Sequence, residues 1–245
     1  VYTRQVAYPK ITEITGANDI SPDMEKHIVK VLKTEFVTHN VKRFTLEKPA
    51  GYTFVSGQAT DVAINKPGLE NELRPFTFTC VNSDDHLEFT IKIYKERNGI
   101  TGKLLDVNAG DELIVHEVFG TINYHGPGLF IAGGAGITPF ISIFRQLKLE
   151  NELAGNILLF ANRTEEDIIL KEELTEMLGN NHIDVLSNPV LQGKQGQHID
   201  KDVLRPFLDS KNKYCYVCGP DEFTSAMVNN LAELGAAKDH IIIEQ

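Results

Sequence analysis

Nowhere in its 245 residues does the chain hold an apolar run approaching the roughly twenty residues that a bilayer-spanning helix needs. A helical membrane span is therefore excluded. The first residues mix charge, proline and glycine, so a secretory leader is not expected, and Val1 in place of Met suggests processing or excision from something longer. Cysteine is scarce. Cys80, Cys215 and Cys218 are odd in number and lack metal-ligand spacing, which argues against a disulfide framework or a zinc site. Cys215 and Cys218 have the spacing of a redox pair, yet they sit in the apolar run 214–218. Residues three apart on a strand face opposite sides, so both read as buried or site thiols, and a reducing, cytoplasmic setting is expected. The three are also too few for an iron–sulfur cysteine set. Positive charge is short as well. The net charge of −10 argues against nucleic acid as the main partner. Internal repeats and low-complexity segments are absent.

What is present is the balance of a globular chain, 42% hydrophobic and 24% charged, long enough for one large domain or two ordinary ones. Residues 1–27 are polar, broken by Pro9, Gly16, Asn18 and Pro22, and read as an arm. Short strand-like runs come next at 28–32, 42–46, 61–64, 76–80, 87–94 and 112–116, separated by Gly, Pro, Asn and Asp. That spacing predicts an antiparallel barrel or sandwich, with one helix near 102–107. After Asn123 the rhythm changes. Strand candidates at 129–132, 157–161, 183–186 and 214–218 alternate with helical stretches near 138–149, 167–178, 200–208 and 220–234, which predicts parallel strands with crossover helices. The boundary falls near 124–128. Residues 1–124 hold 14 Lys and Arg against 17 Asp and Glu; residues 125–245 hold 10 against 17. The first half is therefore better suited to an acidic partner, with Lys92, Lys95, Arg97 and Lys103 close in sequence. A solvated charged face gives the same pattern.

Four stretches carry residues suited to chemistry. The run 129–132 enters Gly133-Gly134-Ala135-Gly136, with Thr138 at a helix N-cap position and Pro139 at the first helical one. Phe140, Ile141, Phe144 and Leu147 then continue at helical spacing. Such a turn lets backbone approach a pyrophosphate at a helix start. The spacing is not G-x-G-x-x-G, and a tight strand–helix turn without ligand looks the same. Arg74-Pro75-Phe76-Thr77 sets a cation, a ring and a hydroxyl along a strand, a set that suits a phosphate-bearing aromatic cofactor; Arg before Pro on a strand edge is also ordinary. Gly99-Ile100-Thr101-Gly102-Lys103 is a second glycine loop opening a helix. In Cys218-Gly219-Pro220-Asp221 the glycine would let a flat ring lie against the backbone, and Pro220 would start a helix.

Together and in this order, these stretches resemble the ferredoxin–NADP reductase superfamily, nearest to its bacterial flavodoxin and ferredoxin reductases. Arg74-Pro75-Phe76-Thr77 is similar to the R-x-[YF]-[ST] flavin motif, and 99–102 to the flavin phosphate loop. Residues 133–139 resemble the nicotinamide-dinucleotide motif, and 218–220 the C-G-P motif. The resemblance spans about residues 28–245. It implies a β + α/β fold, an antiparallel six-stranded flavin-binding barrel (28–124) followed by a parallel-sheet nucleotide-binding domain (125–245). It implies hydride transfer from NADH or NADPH to FAD, in preference to FMN, and then single electrons to a protein carrier such as flavodoxin or ferredoxin.

By position, the resemblance puts Arg74, with Pro75 beside it, on the flavin pyrophosphate. It puts Phe76 against the isoalloxazine and Thr77 near flavin N4–N5. Ile91 and Tyr94 fall on the ribityl or adenine portion. Thr101, Gly102 and Lys103 fall at the phosphates, although members often carry Ser where Gly102 stands. Gly134, Gly136 and Thr138 fall in the dinucleotide groove, and Cys218, with Gly219 and Pro220, near nicotinamide C4. Glu244 matches a carboxylate near the flavin ring, so the catalytic set is Thr77, Cys218 and Glu244. Members often end in an aromatic cover, where this chain ends at Gln245. No acid closes the strand 157–161 to grip a ribose. Arg163 could meet a 2′-phosphate, and Lys194 could replace the arginine that is Asn188 here. Residues 164–167 read equally as a capping box. The balance leans to NADPH. Two other readings stay open: a reductase module of a multicomponent oxygenase or haem system, and a non-catalytic flavin- or nucleotide-sensing subunit.

Overall fold

Two alternation patterns build two sheets in the computed structural model, which describes residues 26–96, 99–120, 122–188, 196–208 and 213–244. The arm up to residue 25, Arg97, Lys194 and Gln245 lie outside these. The first sheet is antiparallel: β1 (His27–Thr38), β2 (Val41–Glu47), β3 (Ala59–Ile64), β4 (Arg74–Thr77), β5 (His86–Lys92) and β6 (Glu112–Phe119), in the order β4-β3-β6-β1-β2-β5. Every second residue points inward. Val29 and Val31, Phe44 and Leu46, Val62 and Ile64, Leu87 and Phe89, Leu113 and Val115 make one core with Phe54 and Phe78. Beyond β4 the chain leaves its partner β3, and the Thr79 N–H donates to the Glu88 carbonyl of β5 at 2.9 Å. The chain just beyond β4 thus meets β5 and draws the two ends of the sheet together. For that reason the run expected at 76–80 is a strand only over Arg74–Thr77.

α1 (Ile100–Lys103) and a 3₁₀ turn over Leu104–Asp106 plug the barrel with Ile100 and Leu104. Buried Lys42 donates from Nζ to the Leu105 and Val107 carbonyls at 3.0 and 2.6 Å, supplying partners that a helix end lacks. Burial lowers the Lys42 pKa, and Asp106 and Asp111 oppose that.

The second sheet is parallel: β7 (Gly128–Gly133), β8 (Ile157–Asn162), β9 (His182–Leu186), β10 (Tyr214–Cys218) and β11 (Ile241–Ile243), in the order β11-β10-β7-β8-β9. α2 (Thr138–Glu150), α3 (Lys171–Leu178), α4 (Lys201–Leu204) and α5 (Asp221–Glu233) cross between them. Phe130, Leu158, Phe160, Tyr216 and Cys218 bury against α2 and α3. Leu129, Leu159, Val185, Cys215 and Val217 bury against α4 and α5 on the other face. Cys215 and Cys218 therefore point to opposite sides, as strand geometry requires. β11 has three residues, too few to show a pattern in sequence. The helix expected from 167 begins at Lys171, because Leu170 adopts φ +51. The stretch at 200–208 is the single turn of α4 and a 3₁₀ turn over Arg205–Phe207. Among the described residues no helix is long and apolar enough to cross a membrane.

The strand order fixes where a ligand can enter. From central β7 the chain moves outward through β8 and β9, then returns to the far side of β7 with β10. The direction reverses between β7 and β10, and the crevice beyond their carboxyl ends is where such sheets take ligands.

Candidate functional site

The reversal brings two distant motifs together. Ala132 of β7 pairs with Cys218 of β10, so Gly133, the last residue of β7, and Gly219, just past β10, stand side by side. The Phe223 ring of α5 lies on both: a Cβ at Gly133 or Gly219 would come within 2.9 or 2.6 Å of it. Gly134, at φ +53, opens a 3₁₀ turn over Gly134–Ile137 that runs into α2. A Cβ on Gly136 would lie 2.3 Å from the Cys218 carbonyl oxygen and 2.6 Å from the Gly219 nitrogen. Only glycine permits this backbone-to-backbone approach.

Thr138 corrects one expectation. It is the first residue of α2, the cap position falls on Ile137, and the Thr138 side chain makes no cap. Its hydroxyl instead donates to the Ala135 carbonyl at 3.1 Å and shares a 2.8 Å hydrogen bond with the Thr77 hydroxyl of β4. The barrel and the start of α2 touch at these hydroxyls.

A cleft of about 1500 Å³ lies between the sheets. Pro75, Phe76, Thr77, Ile91, Tyr94 and Thr101 line its barrel side. Gly134, Gly136, Thr138, Arg163, Cys218, Gly219, Pro220 and Glu244 line the other. Most of the sequence-nominated residues thus converge on one space, joined across it by the Thr77–Thr138 contact. Arg74, Gly102 and Lys103 are not among the lining residues. Arg74 is exposed and donates from Nη1 to its neighbour's Leu73 carbonyl at 2.7 Å; among the described residues no carboxylate pairs with it. Lys103 is held by Glu72 at 2.8 Å, and the Gly102 N–H bonds back to the Gly99 carbonyl at 3.0 Å.

Several lining residues had no sequence signal. The β1–β2 turn brings His39, Asn40 and Val41 to the rim, where His39 Nε2 stands 3.8 Å from Asp167 Oδ1. A two-residue turn carries no motif. Phe223 could have been noticed, since it falls one helical turn after Gly219. The capping box is present: Asp167 Oδ2 accepts from the Thr164 N–H and hydroxyl at 3.0 and 2.8 Å. Arg163 is exposed, while Glu166, Asp167, Asp221 and Glu244 put four carboxylates on the same cleft.

Cys218 donates from Sγ to Glu244 Oε2 at 3.4 Å. Burial, and then the adjacent carboxylate, push this thiol far above its ordinary pKa, so it is a neutral donor. Burial likewise pushes Cys80 up to about 12 and Cys215 up to about 11. The thiolate reacts, not the thiol. Iodoacetamide at pH 8 is therefore expected to leave all three cysteines unmodified in the native protein and to alkylate all three in urea. Mass spectrometry showing rapid native alkylation of Cys218 would contradict this assignment.

Residues 130–229 match an oxidoreductase NAD-binding domain. The chain is similar to NADH–cytochrome b5 reductase 1 of Arabidopsis thaliana, 32% identical over 228 residues that cover 84% of this chain and 79% of that protein. Among solved structures, the CS-b5R domains of human Ncb5or in the NAD+ form superpose with a TM-score of 0.74 at 26% identity, over 91% of this chain and 70% of that one. A ferredoxin NADP+ reductase from Neisseria gonorrhoeae with bound FAD and NADP gives a TM-score of 0.75 at 17% identity, over 90% and 96%, a likeness of fold alone.

Proposed function

The chain belongs to the ferredoxin–NADP reductase superfamily of NAD(P)H-dependent flavoprotein reductases, alongside the NADH–cytochrome b5 reductases, and on that premise we propose that it passes electrons from NADH through FAD to a haem protein of the cytochrome b5 kind. The observation that carries this reading is the meeting of the strand motif at Thr77 with the nucleotide motif at Thr138, 2.8 Å apart across one cleft. The cleft also fits two extended cofactors. At about 1500 Å³ it exceeds the roughly 300–1000 Å³ that holds one drug-sized ligand. Gly134 lines it with no atom within 4 Å of where a Cβ would stand, so the backbone there is open to a pyrophosphate.

When bound, FAD takes up a hydride and releases electrons singly; the chain supplies position and electrostatics. In our reading residues 28–124 hold the flavin and residues 125–245 the nicotinamide nucleotide. Phe76 offers a flat face to the ring, and the Thr77 hydroxyl offers a hydrogen bond at its edge. Arg74 gives its charge to the flavin pyrophosphate, with Thr101 and the Gly102 N–H beside it. Ile91 and Tyr94 flank the ribityl and adenine side. Gly136 and Gly219 keep the floor of the groove thin, and Pro220 turns the chain away from it. Glu244 holds the Cys218 proton, so the thiol shapes the nicotinamide site as a neutral group. Hydride transfer needs no nucleophile from it.

NADH replaces the NADPH leaning of the sequence. A 2′-phosphate near Arg163 would meet Glu166 and Asp167 on the same cleft, and like charges at short range disfavour it. The relative's name points the same way. Cytochrome b5 likewise replaces flavodoxin or ferredoxin as the proposed acceptor. Stopped-flow reduction followed by a panel of acceptors tests both points. NADH is expected to bleach the yellow protein with kcat/KM at least about tenfold above NADPH, a difference of about 1.4 kcal/mol. Cytochrome b5 is expected to be reduced faster than ferredoxin or flavodoxin. The reverse acceptor order would remove the haem-protein assignment, and a chain that takes up no FAD would remove the whole reading.

A further inference from the structure

Arg145 does not line the cleft, yet it bonds across the seam between the two halves of the molecule. It lies two turns along α2 from Thr138. Thr138, Ser142 and Arg145 succeed one another at i, i+4 and i+7, so they form one ridge of the helix. All three are bonded to the barrel. Thr138 meets Thr77; Ser142 accepts from the Gly57 N–H at 3.0 Å; Arg145 donates from Nη1 to the Thr79 carbonyl and to Glu88 Oε1, both at 2.7 Å. The last contacts fall where the chain beyond β4 meets β5. On its other side Arg145 is gripped twice by Glu173 of α3, at 2.6 and 2.9 Å. Glu88 in turn faces Arg43 at 3.9 Å, and Arg43 binds Glu35 at 2.6 Å. Charges of alternating sign thus cross the seam from α3 to the outside of the barrel.

Such a chain does little for net stability, because desolvating the ions offsets their attraction. Its effect is on geometry. The Glu88 side chain is only 9% exposed, so sliding or tilting α2 would strand a buried carboxylate. A fork donating in fixed directions allows one register. α2 also carries the nucleotide motif at its first turn.

We infer that Arg145 is a positioning residue for hydride transfer, locking α2 to the barrel so that nicotinamide and flavin are held at reacting separation. This rests on the reading of the cleft as the place where the two cofactors meet. The test uses FAD-loaded protein in four forms: parent, Arg145→Met, Arg145→Lys and Glu88→Gln. FAD content, NAD+ affinity and the limiting rate of flavin bleaching by NADH are measured for each. A further readout needs no turnover: the distance distribution between spin labels at Ile28→Cys and Leu149→Cys, two exposed sites on β1 and at the end of α2. The three native thiols are buried and do not compete for label.

Arg145→Met should keep FAD content and NAD+ affinity within about twofold, so that the loss falls on the rate and not on binding. Its limiting rate should fall about tenfold to a hundredfold, the scale of a 1 Å misplacement, and the label distances should broaden. Arg145→Lys should recover part of the rate, since one ammonium reaches Glu88 without spanning to Glu173. Arg145→Met with parental rate and parental distances overturns the inference. If that variant does not load FAD, Glu88→Gln decides: a slowed rate with full FAD supports the inference, and a parental rate overturns it. A parent that NADH fails to bleach overturns the reading of the cleft instead, and the label distances then decide the seam on their own.

Discussion

Replacing Gly136 by alanine is expected to abolish tight binding of the nicotinamide nucleotide while leaving the flavin in place. The added methyl would stand 2.3, 2.5 and 2.6 Å from three backbone atoms of Cys218 and Gly219. None is the tip of a flexible side chain, and Cys218 is anchored in the sheet by its pairing with Ala132. Relief requires the 133–139 turn to lift off the 218–220 turn, which deforms the floor of the groove. Overpacking of this kind costs about 1–3 kcal/mol, and affinity falls further because the ligand must restore the displaced loop. The barrel has its own core, built from β1 to β6, so FAD should remain. Urea unfolding and NAD+ titration of the yellow variant measure both effects. Gly134→Ala is the comparison for stability: its φ of +53 costs about 1 kcal/mol, with no atom within 4 Å to clash. NAD+ affinity retained in Gly136→Ala would mean that the two turns move freely, against the contact that defines the site.

Arg74→Ala is expected to have the opposite signature, loss of flavin with the fold intact. Lys103, the other cation nominated for the phosphates, is already taken by Glu72. Among the described residues Arg74 bonds only to the Leu73 carbonyl, and it is exposed. It therefore keeps its charge available for the pyrophosphate at little desolvation cost. Hydrogen bonds to a charged group contribute about 1.5–3 kcal/mol, so FAD affinity should fall roughly tenfold to a hundredfold. Apoprotein melting should stay within about 0.5 kcal/mol of the parent, since the residue is a surface one. Arg74→Lys should retain part of the affinity, because an ammonium supplies charge without the bidentate fork. Full flavin occupancy in purified Arg74→Ala, judged by the visible-to-280 nm absorbance ratio, would exclude Arg74 from the pyrophosphate site and shift that role to Thr101 and the Gly102 backbone.

The local elements and the four motifs were legible without coordinates. Alternation at Leu87, Phe89 and Ile91, or at Leu113 and Val115, marks a strand with one face inside. Runs such as 129–132 and 214–218, apolar at every position, mark strands covered on both faces. Glycine, proline and hydroxyl residues at the ends of such runs punctuate them, because each constrains or frees backbone within a few residues. What this legibility has in common is range: the information lies within about one turn or one strand of the residue concerned.

The tertiary structure decided everything that depends on which distant segments meet. Thr138 has the sequence signature of a cap, but pairing with Thr77 places its hydroxyl on the cleft instead. The three isoleucines of β11 are too short to read as a strand until β10 gives them a partner, and they bring Glu244 to Cys218. The motif nominates Gly136 for the groove, but that it must be glycine because it abuts the Cys218 and Gly219 backbone emerges only once the sheet order sets the two turns together. Arg145 draws no reading from the sequence; packing of α2 against α3 and the barrel sets it between Glu88 and Glu173. Periodicity and turn chemistry act along the chain and are written there. The seam between the two sheets arises from the packing free energy of segments far apart in sequence, and no local pattern encodes it.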